Sequence, residues 1–281
     1  MSDIEPPMRP RQDNGQRAEA PAEPLREPEL ADDLVMALRF FSRLPAGDRP
    51  FTTPNLDRMA LSLPLASVAI GFGPALLMML CAWATMPSYF AAAIGVAAML
   101  IATGAMADDA LADAADGLFG GASIERRLEI MKDSRHGTYG VGALGLYLLL
   151  RVTAIGAVAA YNPLAAGGIW LAATVVGRSG SLWLSVALPN AREGGASASA
   201  GRVGKRSFAI GAGFTAVLAL ILAAPFTSFV AVVLALIAAG LVAMAWVWGC
   251  RKLIGGQTGD LIGALSALIE IAALAVFLVF A

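Results

Sequence analysis

Apolar residues in this chain come in long unbroken runs, at 63–85, 90–107, 141–160, 164–188, 208–224, 229–249 and 261–280. Each is near the ~20 residues that a helix needs to cross the hydrocarbon core of a bilayer. The connections between runs alternate in charge. Lys and Arg gather before the first run, in 117–140, in 190–206 and at Arg251-Lys252, whereas 86–89, 161–163 and 225–228 hold none. Seven spans with a cytoplasmic N-terminus place every basic connection on the inner side. The pattern predicts an all-α, polytopic membrane helix bundle of about seven transmembrane helices, with the lipid bilayer as its surroundings.

Ahead of the spans, residues 1–30 are rich in Pro, Glu, Arg and Gln and contain no apolar stretch before a cleavage site. This is not a signal peptide but a disordered tail, because such a segment buries too little surface to offset its ordering entropy. Residues 31–281 form the single catalytic domain. It opens on a short interfacial helix in which Leu34, Val35, Leu38 and Phe41 recur at helical spacing, Arg39 and Arg43 lie on another side, and Pro45 stops the turn.

Composition sharpens this picture. Of 281 residues, 58% are hydrophobic and 15% charged, against roughly 25% charged in a soluble domain. The formal net charge of -1 gives no electrostatic footprint for nucleic acid. One histidine, His136, excludes a multi-histidine zinc site, and two cysteines without a CxxC exclude a thiolate one. Cys81 falls near the outer end of its span and Cys250 near the inner end of another, so they should not pair. Arg151 and Arg178 lie too deep in their spans for easy snorkelling, so a substrate or carboxylate-pairing role stands level with that of a structural charge.

The chemistry-bearing residues sit in three segments on the predicted inner side. In the first, Asp109-Ala-Leu-Ala-Asp113-Ala-Ala-Asp116-Gly117 puts carboxylates at i, i+4 and i+7, one face of a helix. Stacked like charges at a bilayer boundary are costly unless a cation sits among them, and short acidic side chains offer the all-oxygen donors that suit Mg2+. A Gly117-Leu-Phe-Gly-Gly121 turn follows. Ser123 then caps a helix over 124–132 whose Ile124, Leu128 and Met131 form an apolar stripe. The second segment, Ala191-Arg192-Glu193-Gly194-Gly195 through Lys205-Arg206, is glycine-rich and basic. The third, Gly255-Gly-Gln-Thr-Gly-Asp260, enters the last span, which also carries Glu270.

In order along the chain, Phe41-Ser-Arg-Leu-Pro45, Leu63-Pro64, Asp109-x3-Asp113-x2-Asp116-Gly117, Arg127-Leu-Glu-Ile-Met-Lys-Asp-Ser134, Gly137-Thr-Tyr-Gly140, Arg178-Ser179, Ala191-Arg-Glu-Gly-Gly195 and Gly255-Gly-Gln-Thr-Gly-Asp260 resemble the motifs of the cobalamin-5'-phosphate synthase family. The resemblance runs from about Leu34 to the C-terminus. It implies a membrane transferase that joins α-ribazole, or its 5'-phosphate, to adenosylcobinamide-GDP and releases GMP, with Mg2+ required, in a bacterial inner membrane and with the site facing the cytoplasm. The chain departs from the family motif at Ala107 and Ala110, where a His and a Gly are usual, and carries an additional Asp108.

On this reading Asp109, Asp113 and Asp116 bind Mg2+ and the donor diphosphate, with Asp113 also catalytic. Lys132, Arg126 and Arg127 neutralise phosphate charge, Asp133 and Ser134 orient the acceptor or a metal-bound water, and Arg178, Arg192 and Asp260 contact substrate. A CDP-alcohol phosphatidyltransferase would need an Ala-Arg shortly after Asp116-Gly117, which is missing. A cation-coupled transporter would show internal repeats or midplane polar sites. The sequence leaves a homo-oligomer open.

Overall fold

In the computed structural model, residues 30–47, 53–133, 135, 137–192 and 199–281 are described; all but the last residue of the N-terminal tail lies outside them. The helices are α1 (Leu30–Phe41), α2 (Leu56–Trp83), α3 (Ser88–Thr103), α4 (Met106–Gly120), α5 (Ile124–Ile130), α6 (Thr138–Ala159), α7 (Pro163–Ser181), α8 (Trp183–Ala187), α9 (Lys205–Ala223), α10 (Phe229–Leu253) and α11 (Gly259–Phe280). Six helical stretches are long and apolar enough to cross a membrane: α2, α6, α7 with α8, α9, α10 and α11. The expected all-α polytopic bundle is what forms.

The second apolar run differs from its expected shape. It does not continue to residue 107 as one span but ends at Thr103, and α4 leaves at 88° to α3. Gly104 and Ala105 both adopt left-handed backbone, with φ of 62° and 55°. Glycine does this freely, whereas at Ala105 the Cβ makes it costly. Arg43 holds the break from outside: its N–H donates to the Ala102 carbonyl at 2.7 Å, and a Cβ on Gly104 would lie 2.6 Å from Arg43 Nε. The acidic helix α4 is thereby turned out of line with α3 and against α6 and α11.

The helices cross closely where side chains are small, as packing in lipid requires. A Cβ on Gly177 of α7 would meet the Ser266 carbonyl of α11 at 2.7 Å, and one on Gly263 of α11 would meet Ala110 of α4 at 2.5 Å. Trp170 and Phe277 are fully buried, whereas Ile101, Leu146, Ile221, Leu241, Trp248 and Val279 stand exposed on the outer face. That inversion suits a hydrocarbon solvent. At the start of the domain α1 presses Met36 and Ala37 onto α2, and Asp33 pairs with Arg58.

Hydrogen bonds between distant loops fix which connections share an end. Leu56 N–H donates to the Ala200 carbonyl at 2.8 Å, Arg127 reaches Leu253, and Ala191 N–H donates to Gln257. All the basic connections therefore meet at one end of the bundle. The uncharged ones meet at the other, where Tyr89 abuts Gly156 and Phe226 abuts Gly168. The free Cys81 and Cys250 do not pair.

This sidedness predicts a labelling pattern. With native Cys81 and Cys250 both replaced, single cysteines at Thr138, Lys205 and Lys252 should all react with an impermeant thiol reagent from one side of sealed vesicles, and a cysteine at Tyr161 only from the other. Labelling of any of the first three from the Tyr161 side would refute the arrangement.

Candidate active site

The three acidic residues of α4 share one helix face but not one environment. Asp109 is exposed, Asp113 half-buried and Asp116 buried. The difference comes from what covers the face. At its C-terminal end the turn into α6 closes over Asp116, with Gly137 N–H donating to Oδ2 at 2.6 Å and Gly140 N–H to Oδ1 at 2.8 Å. These are N–H groups at the start of α6 that no helical carbonyl can reach, so Asp116 caps that helix from another element. A Cβ at Gly137 would lie 2.6 Å from Asp116 Oδ1, and one at Gly140 would strike the same carboxylate. The two glycines of Gly-Thr-Tyr-Gly make room for Asp116. Asp116, expected as a metal ligand, accepts one backbone N–H on each oxygen, and each oxygen keeps a further lone pair.

Ser123 caps α5 as expected, accepting from Arg126 N–H at 3.2 Å. Arg126 pairs with Glu129 at 2.7 Å on the surface, one turn along. Arg127 points inward, donating Nη1 to the Leu253 carbonyl at 2.9 Å, and so ties α5 to the end of α10. Lys132 is exposed at the end of α5. Asp133 receives Arg135 through both Nε and Nη2, at 3.0 and 2.7 Å. That fork, with the Arg135 N–H, holds the Asp133 carboxyl down to about 2. At neutral pH it is ionised, an anchor rather than a proton acceptor. Ser134 and His136 lie outside the described residues, as do Glu193, Gly194 and Gly195.

The second and third segments are laced together. Gln257 N–H donates to the Pro189 carbonyl at 2.8 Å, Ala191 N–H to the Gln257 carbonyl at 2.9 Å, and the Gln257 side chain to Asn190. A Cβ on Gly256 would come within 2.7 Å of the Pro189 carbonyl, so the contact needs glycine there. This clasp sets Arg192 against Asp260, Nη2 to Oδ2 at 3.3 Å. Thr258 caps α11 and also reaches Asp260 at 3.4 Å. Asp109 lies near enough to Asp260 for their charges to interact. The three segments, far apart in sequence, thus form one polar end: Asp109 and Asp113 on α4, Arg192 and Asp260 on the clasp, Arg127 beneath α5. Arg192 Nη1 and Arg127 Nε are buried there without a hydrogen-bond partner among the described residues, donors that an anionic oxygen would satisfy.

Sequence reasoning singled out Arg151, Arg178 and Glu270 but did not bring them together as one group of charges inside the bundle. Arg151 of α6 donates Nε to Glu270 Oε1 at 3.0 Å and directs Nη1 toward Asp108 Oδ1 at 3.5 Å. Tyr147 hydroxyl donates to Glu270 Oε2 at 3.0 Å and Trp170 Nε1 to Oε1 at 3.2 Å. All five residues are buried. Arg178, expected at the substrate, lies within charge range of Glu270, Arg151 and Asp108; its Nη2 donates to Met99 Sδ at 3.6 Å, and Nη1 has no hydrogen-bond partner among the described residues. Of the roles left open for Arg151, carboxylate pairing is the one realised. The signal was there in Glu270, a carboxylate deep in the last span whose charge requires a partner at its depth.

The donor set at the polar end fits a hard divalent cation, since Asp109, Asp113 and Asp260 offer only carboxylate oxygens. Among the described residues no group of three or more His, Cys, Asp or Glu is gathered into a ready metal cage. Mg2+ needs none, because it is usually held by one or two carboxylates with the remaining positions filled by phosphate oxygens and water.

The sequence model of the family described as cobalamin-5-phosphate synthase matches residues 33–278. The adenosylcobinamide-GDP ribazoletransferase of Azorhizobium caulinodans is 40% identical over 264 residues, covering 92% of this chain and 99% of that protein. The proteins of the same name from Xanthobacter autotrophicus and Rhizobium meliloti are 41% and 40% identical, over 89% and 88% of this chain and 97% and 95% of their own lengths. No solved structure matches the chain.

The Asp116 cap yields a stability prediction. Asp116→Ala leaves two N–H groups of α6 without an acceptor and should destabilise the fold by about 1–3 kcal/mol. Gly140→Ala should do similar damage by displacing the carboxylate. Thermal unfolding in detergent measures both; wild-type midpoints for the two variants would refute the cap.

Proposed function

The chain belongs to the cobalamin-5-phosphate synthase family, and we propose that it acts as an adenosylcobinamide-GDP ribazoletransferase whose site is the polar end built by α4, the 189–192 turn and the 255–260 turn. The observation that supports this most is the convergence of the segments: Asp109 lies within charge range of Asp260, Asp260 pairs with Arg192 and Arg127 reaches the end of α10, and Arg192 Nη1 and Arg127 Nε lack a hydrogen-bond partner among the described residues. Carboxylates that hold a cation and arginines that hold phosphate oxygens are what a diphosphate donor needs.

In the reaction, a hydroxyl oxygen of α-ribazole bonds to the corrinoid-side phosphorus of the donor, the phosphoanhydride bond breaks, and GMP leaves with the bonding electrons. The hydroxyl proton passes to a carboxylate, the role assigned here to half-buried Asp113. Arg192 and Arg127 direct donors at the diphosphate, and exposed Lys132 and Arg126 add charge at the mouth. Asp133, kept ionised by Arg135, is an anchor at the end of α5, and Ser134 is assigned to the acceptor. Asp109 and Asp113, with Asp260 beside them, would hold Mg2+, which supplies charge neutralisation at the diphosphate. Asp116 and its glycines keep α4 and α6 in register beneath these groups. The site lies on the cytoplasmic side of a bacterial inner membrane, where the basic connections belong. A water-soluble nucleotide then enters from the cytoplasm.

The test is GMP release by the full-length protein in liposomes supplied with adenosylcobinamide-GDP, α-ribazole and Mg2+. Release should require all three. Asp113→Asn should lower the rate by at least about a hundredfold, the scale set by losing one charge-stabilising group, with membrane insertion intact. Near-normal turnover of Asp113→Asn at saturating Mg2+ would remove Asp113 from the site.

Lys132 gives a separate check. Because Lys132 is exposed and serves as a point charge, Lys132→Arg should retain most of the rate, whereas Lys132→Ala should lower kcat/KM about tenfold or more. Equal kinetics in the two variants would leave Lys132 as positive charge that only orients the chain in the membrane.

A further inference from the structure

The charges inside the bundle balance, three of them buried and Arg178 half-buried. Asp108 and Glu270 supply two negative charges, Arg151 and Arg178 two positive ones, and the field of each carboxylate reaches both guanidinium groups. Asp108 is 5% exposed, Glu270 4% and Arg151 2%, at a depth where an unbalanced charge is costly. Arg151 is the hub. Its Nε takes Glu270 on α11, its Nη1 faces Asp108 on α4, and its guanidinium lies over the Tyr147 and Trp170 rings at 4.9 and 5.7 Å from their centroids. Four helices meet through this one side chain: α4, α6, α7 and α11.

What this set holds is the first turn of α4. That turn follows the left-handed Gly104-Ala105 break, and Ala105 gives it no side-chain cap. Asp108 and Asp109 are adjacent, about 100° apart around the helix, so one faces the bundle and the other the polar end. Glu270 lies on the helix whose first turn carries Asp260. A link from Asp108 through Arg151 to Glu270 therefore sets α4 relative to α11, and with it Asp109 relative to Asp260.

We propose that Arg151, with Asp108 and Glu270, is a positioning device for the transferase site: it never touches substrate but fixes the separation of the α4 carboxylates from Asp260. The proposal rests on the transferase reading for its kinetic consequence.

The experiment compares wild type with Arg151→Lys, Arg151→Met and the double variant Arg151→Met/Glu270→Leu, full-length and in liposomes. The double variant keeps the charge balanced, since Asp108 and Arg178 remain. Three quantities are read on the folded fraction: the thermal midpoint, kcat and KM for GMP release, and hydrogen–deuterium exchange across residues 106–113. Arg151→Met should lower kcat at least about a hundredfold with KM for the donor within about threefold, and exchange of α4 should rise about tenfold or more. Arg151→Lys keeps the charge but loses the fork, so it should fall between. The double variant should regain the thermal midpoint but neither the kcat nor the protection of α4. Recovery of kcat together with stability in the double variant would overturn the proposal, because the cluster would then serve stability alone. So would unchanged exchange and kcat in Arg151→Met. If wild type releases no GMP, the transferase reading fails, while the exchange measurement still decides whether Arg151 holds α4.

Discussion

Charge inside an apolar bundle has to be neutralised where it lies, and this protein meets that constraint around Arg151. Its guanidinium joins Glu270 at 3.0 Å, faces Asp108 at 3.5 Å and is walled by Tyr147 and Trp170. Removing one partner of such a set leaves a buried charge uncompensated, which is far more damaging than never having had the pair. The helices contributing to it are accordingly tied in one relative arrangement. Because α4 and α11 also carry the carboxylates of the polar end, the buried ion set and the site share their supports.

A second constraint acts at the surface of the bundle. Loops at the polar end leave helix termini with unsatisfied N–H groups, and side chains from other segments supply the acceptors or seal the turns. Asp116 caps α6, Thr258 caps α11, and the Gln257 clasp joins the 189–192 turn to the start of α11. Glycines stand where a Cβ would displace a carboxylate or a carbonyl, at Gly137, Gly140 and Gly256. The motifs that look like loose glycine-rich linkers in sequence are close-packed joints.

Much of this was legible before any coordinates. The apolar runs and the distribution of Lys and Arg gave the spans and their shared ends, since lipid imposes both length and flank chemistry. Ser123 as a cap and the separation of Cys81 from Cys250 followed from local spacing. The break after Thr103 did not, because Gly104-Ala105 sits within an otherwise continuous apolar run, and an alanine in left-handed backbone leaves no compositional trace. Asp116 was read with Asp109 and Asp113 because helix geometry does put them on one face; what covers that face is set by residues 137–140, which spacing cannot foresee. Asp108 stood out only as an addition to the family motif, yet it points about 100° round the helix from Asp109, toward a partner 43 residues along the chain. Arg127 read as a phosphate ligand, and one of its donors instead closes the end of α10.

The central claim is that one substrate site is assembled from α4, the 189–192 turn and the 255–260 turn. Its most direct test uses a photoreactive adenosylcobinamide-GDP analogue, with the reactive group on the diphosphate, bound to the full-length protein in liposomes. Peptide mapping should find the label in all three segments, and excess unmodified donor should remove it from all three together. Label confined to the opposite end, around residues 160–163 and 224–228, would contradict the account.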